Sequence, residues 1–210
     1  MNFSSGFLYV KKFVDYMCSD RDESHGIDHF ERVSNNVKKI IADLGEDKDE
    51  FESIPYAEEI VLISAYAHDL WDHKYISETE EIKKKFVKII SKFMNPECCK
   101  AIIDIIDNVS YSKEARGETQ DLEQYNLLLW IIQGADRIEA IGEIGLKRCF
   151  QYNSHIHKLN EESIIDLVVE HCHEKLLKIY GSTKCESAKK FMVDGHRVII
   201  EFIENPKYLY

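Results

Sequence analysis

The sequence predicts a single all-α domain, on three observations. Apolar residues recur at helical spacing in one segment after another. No stretch of strict apolar–polar alternation is long enough to be a strand. The chain also holds only 3 Pro and 9 Gly in 210 residues, which leaves long stretches free of helix breakers. That length suits one well-buried domain, and 44% hydrophobic with 31% charged residues is the mix of a globular protein.

Phe7 to Cys18 reads as the first helix, because Leu8, Val10, Val14 and Met17 recur at its period. Ile27 to Leu44 is the second, stopped by Gly45. Pro55 fits the first turn of a third that runs to about Trp71. Glu78 to Phe93 places Ile82, Phe86, Ile89, Ile90 and Phe93 on one face. Pro96 opens a helix to about Val109. Tyr111 to Glu123 is polar and is the longest expected loop, whereas Leu127 to Ile141 is nearly all apolar and should be central. Ser163 to Tyr180 and Cys185 to Glu204 read as two amphipathic helices, so the last helical region covers 162–205. No internal repeat or low-complexity linker interrupts the chain, and one domain is expected over 1–210.

A net charge of −11 argues against a broad basic surface for nucleic acid. No apolar run approaches the roughly 20 residues that span a bilayer. Met1 to Val10 lacks a basic region followed by a long apolar core, so no signal peptide is expected. Six cysteines, at 18, 98, 99, 149, 172 and 185, include no CxxC pair. They are expected as reduced thiols, and the protein as cytoplasmic.

Chemistry enters with a scattered set of metal-type residues. His68 and Asp69 close the apolar run from Ile60 to Ala67, and Asp136 closes the run from Leu127 to Ala135. A charged Asp at the end of a buried helix is costly unless something pairs with it. A divalent cation is the most economical single partner for carboxylates and imidazoles together. His25 and His29 are four apart and share a helical face. Alone, that pair fits a metal site, one ligand with a neighbour, or two surface imidazoles. Alone, His68–Asp69 also fits a buried His bonded to a helix-terminal Asp, and Asp136–Arg137 an ion-pair network. His155, His157, His171, His173 and His196 read as surface or packing residues.

Together the pieces resemble the HD-domain superfamily of metal-dependent phosphohydrolases. Ser24-His25-Gly26-Ile27-Asp28-His29-Phe30-Glu31-Arg32-Val33 is similar to its first motif. Ala67-His68-Asp69 is similar to its His-Asp doublet, and Gly134-Ala135-Asp136-Arg137 to its last ligand block. The likeness is to the compact subgroup that opens Ser-His-x-x-x-His, and it covers roughly residues 20 to 205. Gly134 departs from it, standing where that subgroup often has Asp.

The resemblance implies a helical bundle of the HD-domain type, with core motifs over 25–137. It implies that His29, His68, Asp69 and Asp136 ligate one divalent ion. Two imidazoles and two carboxylates suit Mn, Fe, Co, Ni or Zn, with Mg possible, and Mn is favoured. The expected reaction is hydrolysis of a small phosphoester or phosphoanhydride, a nucleotide above all. Asp69 and Asp72 are candidates to orient and deprotonate the water, and His25 to protonate the leaving oxygen or to support a metal ligand from behind. Asp72 has the alternative of a surface Asp in a turn. Lys74, Arg32 and Arg137 are candidates for the substrate phosphate, while Arg32 and Arg137 could instead brace neighbouring carboxylates. A di-iron oxygenase needs two more His between the doublet and Asp136, and only His73 lies there. The competing reading is a metal-binding regulatory module without catalysis.

Overall fold

The computed structural model describes residues 2–21, 26–72, 78–156 and 160–208. The regular structure among these residues is all helical, with no strand among them. The chain divides into two compact units, residues 1–133 and 134–210.

In the first unit α1 (Phe3–Met17) begins at Asn2, whose side chain accepts from the Ser5 amide. Such a cap satisfies one of the donors that a helix start leaves open. The second helix, α2 (Ile27–Ala42), lays Phe30, Val33, Val37 and Ile40 in the core at helical spacing. A 3-10 turn over Gly45–Asp47 leads to the short α3 (Lys48–Ser53). Then comes α4 (Ala57–Ala67), buried from Ile60 to Ala67 on every face. A helix apolar all round belongs at the centre, and α4 packs against α1, α2 and α6.

Helix α4 is shorter than the expected span at both ends. Pro55 precedes it rather than opening it, because Tyr56 takes the left-handed conformation (φ 60°) at its N-cap. Its regular turns stop at Ala67, and His68 to Trp71 form the turns that follow. The unit continues with α5 (Thr79–Ile90) and α6 (Pro96–Asn108). Asn95 caps α6 by accepting from the Cys98 amide at 2.8 Å, with Pro96 in the first turn. The expected loop after Val109 contains α7 (Tyr111–Ala115) and a 3-10 turn over Glu123–Tyr125. The apolar run beyond becomes α8 (Asn126–Ala140), which passes the division between the units after Gln133.

In the second unit α9 (Gly142–Ile156) packs against α10 (Glu161–His171) and against α12 (Glu186–Glu204). Phe150, Val168, Met192 and Ile199 form its core. The periodicity predicts α10 as one helix to Tyr180. A wide π turn over Cys172–Leu176 instead separates it from α11 (Leu177–Ser182). Helix α9 is not predicted at all. Gly142 separates it from α8 with φ +75°, and a Cβ there would meet the Gly195 backbone at 3.1 Å. Among the described residues no helix is long and apolar enough to cross a membrane.

Candidate metal centre

The site is built where α2 starts and α4 ends. His29 lies in the first turn of α2, and the apolar stripe of that helix turns the ring inward until the residue is 1% exposed. His68 caps the end of α4 and is 4% exposed. The two rings meet edge to face with centroids 5.0 Å apart, and Phe30 closes over His68 at 5.7 Å.

One hydrogen bond sets the chemistry of His68. Its Nδ1 lies 2.8 Å from the Ala65 carbonyl oxygen. A carbonyl only accepts, so Nδ1 carries a proton and donates it. In the neutral ring Nε2 then bears the lone pair. That nitrogen faces His29 Nε2 at 3.2 Å and the Asp69 Oδ2 oxygen at 3.4 Å. His29 Nε2 is in turn 4.0 Å from the same oxygen.

Three potential ligand atoms therefore converge within one unit. A lone pair facing a carboxylate oxygen at this range is repulsive unless a positive charge stands between them. A proton bridges one pair at most, whereas one divalent ion could meet all three atoms. Adjacent ligands in an octahedral shell with bonds of about 2.1 Å stand about 3 Å apart, close to the two shorter separations. His29, His68 and Asp69 thus fit a divalent cation by donor type, tautomer and spacing.

The turn carrying the doublet is held from outside. Arg21, in the bend after α1, donates from Nη1 to the Asp69 carbonyl at 2.8 Å and from Nη2 to the Leu70 carbonyl at 2.9 Å. The Asp72 amide also donates to the Asp69 carbonyl, at 3.0 Å. Trp71 donates from Nε1 to Asp107 Oδ1 at 2.8 Å, and Lys83 pairs with the other oxygen of Asp107 at 2.8 Å. On the opposite side the buried Tyr66 hydroxyl donates to Asp15 at 2.7 Å. Burial and that bond push its phenol well above the usual range. Burial also pushes the Cys18 thiol up to about 11, with the nearby Arg21 charge opposing the rise.

The other predicted site residues fall in several places. Asp69 and Asp72 are half-buried at the turn, and Arg32 is half-buried on α2. Asp136 is half-buried on the second-unit part of α8. Arg137 is 2% exposed, and its Nη1 donates to the Ser182 carbonyl at 3.3 Å. His25, His73 and Lys74 lie outside the described residues. Arg21 and Asp107 were not singled out from the sequence. Each is far along the chain from the turn it supports, Arg21 in a polar stretch and Asp107 on an ordinary amphipathic helix, with no motif around either.

No family model matches the chain. It is 31% identical over 155 residues to an uncharacterised protein of Acanthamoeba polyphaga mimivirus. That match covers 68% of this chain and 58% of the viral protein, so the chain spans less than two thirds of this relative. Over 198 residues it is 23% identical to the uncharacterised protein YpgQ of Bacillus subtilis, covering 92% of this chain and 88% of YpgQ. The crystal structure of YpgQ in complex with ADP superposes with a TM-score of 0.66 at 19% identity, over 97% of this chain and 94% of that one. An HD-superfamily hydrolase of Bacillus thuringiensis superposes with a TM-score of 0.67 at 24% identity, over 97% and 95%. The fold of this chain is that of the HD superfamily.

Proposed function

We propose that this chain of HD-superfamily fold is a metal-dependent phosphohydrolase acting on a nucleotide or a similar small phosphoester or phosphoanhydride. The observation that carries the reading is the convergence of His29 Nε2, His68 Nε2 and Asp69 Oδ2 at 3.2–4.0 Å, with the His68 lone pair turned into the shared space. Asp136 is the proposed fourth ligand. The support for it is the likeness of Gly134-Ala135-Asp136-Arg137 to the superfamily's last ligand block. Manganese is the favoured ion for two imidazoles with two carboxylates. Such an ion, when bound, lowers the pKa of water to about 7 and polarises a phosphoryl oxygen.

The chain's own groups do the rest. The Asp69 carboxylate, carried on a turn whose backbone carbonyl accepts from the Asp72 amide, holds its place as ligand and orients the attacking water. Asp72, three residues on and half-buried, takes the proton. Lys74 and Arg32 hold the substrate phosphate, and His25 protonates the leaving oxygen. The ADP complex of YpgQ supports a nucleotide as substrate class. The six free cysteines fit a reducing, cytoplasmic setting.

The test is a panel of nucleoside mono-, di- and triphosphates with chelator-treated protein, reading both phosphate and pyrophosphate release. Activity should vanish without metal and return best with Mn2+. Equal turnover by stripped and loaded protein would overturn the proposal. Tight Mn2+ uptake without turnover on any nucleotide would favour the regulatory module.

A further inference from the structure

We infer that Arg21 is a positioning residue that holds the His68–Asp69 turn in its ligating shape. The inference rests on the metal-centre reading above and extends it to a residue outside the three motifs. The physical need arises at the end of α4. A helix leaves its last carbonyls without partners inside the helix and gathers partial negative charge there. His68 and Asp69 sit at that end, so the ligand turn starts from backbone that the helix does not hold.

Arg21 answers this need with a two-pronged contact. Its two terminal nitrogens donate to successive carbonyls, Asp69 at 2.8 Å and Leu70 at 2.9 Å. A planar guanidinium fixes the angle between two such acceptors as well as their distance, which an ammonium cannot do. The bend that delivers it is itself closed, with the Arg21 amide donating to the Cys18 carbonyl at 3.2 Å. The end of α1 is therefore tied to the backbone of the ligand doublet, 48 residues away in sequence. With the Asp69 carbonyl held by both Arg21 and the Asp72 amide, the Asp69 carboxylate is kept on the His68 and His29 nitrogens. Arg21 touches neither the ion nor the substrate in this scheme and acts through the turn.

Two readouts test the inference on the full-length chain. The first is Mn2+ affinity by calorimetric titration of chelator-stripped protein. Groups that orient metal ligands are worth about 10–100-fold in affinity. Arg21→Ala should weaken Mn2+ binding by that factor, and Arg21→Lys, which keeps one contact, by less. Asn95→Ala removes the cap of α6 and serves as a destabilised control with unchanged Mn2+ affinity. The second readout is amide hydrogen exchange at Asp72 in metal-free protein, expected to quicken in Arg21→Ala. An unchanged Mn2+ affinity in Arg21→Ala overturns the inference while leaving the metal centre standing. An equal loss in Asn95→Ala also overturns it, because stability alone then explains the effect. If wild-type protein takes up no Mn2+, the metal reading falls. Exchange at Asp72 then decides whether Arg21 holds the turn: faster exchange upholds the clamp and an unchanged rate refutes it.

Discussion

Replacing Asp69 by Asn should reverse the order of two melting curves. In wild-type protein without metal, the Asp69 carboxylate oxygen faces the His68 Nε2 lone pair at 3.4 Å. The Asp69→Asn amide can present an N–H to that lone pair instead. One such hydrogen bond is worth about 1 kcal/mol, and for a chain of this size that raises Tm by about 2–4 °C. With chelator present the variant should therefore melt above wild type. Metal reverses this. Mn2+ at a hundredfold over its dissociation constant stabilises the folded state by about 2.7 kcal/mol, or about 5–11 °C. The variant, with a charged ligand replaced by a neutral one that also points a proton inward, should lose most of that gain. Thermal unfolding of both proteins in EDTA and in Mn2+ gives four curves and one double difference. An equal Mn2+-induced shift in wild type and Asp69→Asn would refute the ligand assignment. A variant that melts below wild type in EDTA would refute the lone-pair argument.

Arg137→Lys should lower Tm by several degrees while leaving KM for a nucleotide unchanged, because Arg137 is buried on the Ser182 carbonyl. A raised KM with an unchanged Tm would return Arg137 to the substrate. Burial pushes the Cys172 thiol from 9.0 up to about 12, with Cys149 adding to the rise. Below pH 9 neither state of the chain loses this proton, so the contribution to stability is full. Between pH 9 and about 12 the unfolded chain releases the proton and the folded chain keeps it, so that contribution is lost as pH rises. Urea unfolding followed from pH 8 to pH 11 should weaken more steeply in wild type than in Cys172→Ala, and parallel curves would refute the assignment.

The sequence made the fold legible wherever apolar spacing and a stop signal coincide. Helix α2 shows both, with its core stripe ending before Gly45, and α6 shows Pro96 in its first turn. Helix α9 shows neither, since Gly142 and Gly145 lie in its opening turn and its polar residues interrupt the stripe. The π turn at Cys172 is invisible for a different reason. It shifts the register of a segment that has no Gly or Pro from Glu161 to Tyr180 to mark a break. The His-Asp doublet stands out because charge interrupts an apolar run. What the sequence does not carry is the tautomer of His68, which depends on a backbone oxygen three residues back, and the grip of Arg21 on carbonyls that have no side-chain signature at all.

The remaining question is how a chain of net charge −11 would hold an anionic phosphate. Several cations of the first unit are already engaged near the candidate site. Arg21 holds two carbonyls, Lys11 pairs with Glu31, and Lys83 lies between Asp107 and the Trp71 ring. Moving any of them to a substrate would break a contact that supports the ligand turn or the helices beside it. On the proposed reading, attraction beyond that of Lys74 and Arg32 would come from a cation held by His29, His68 and Asp69. Such an ion would add positive charge beside the buried His29 and His68, where salt screens it least. An acidic surface then works as discrimination. On that reading it would repel polyanions such as nucleic acid, which meet the whole surface, more than a small nucleotide, which meets mainly the site.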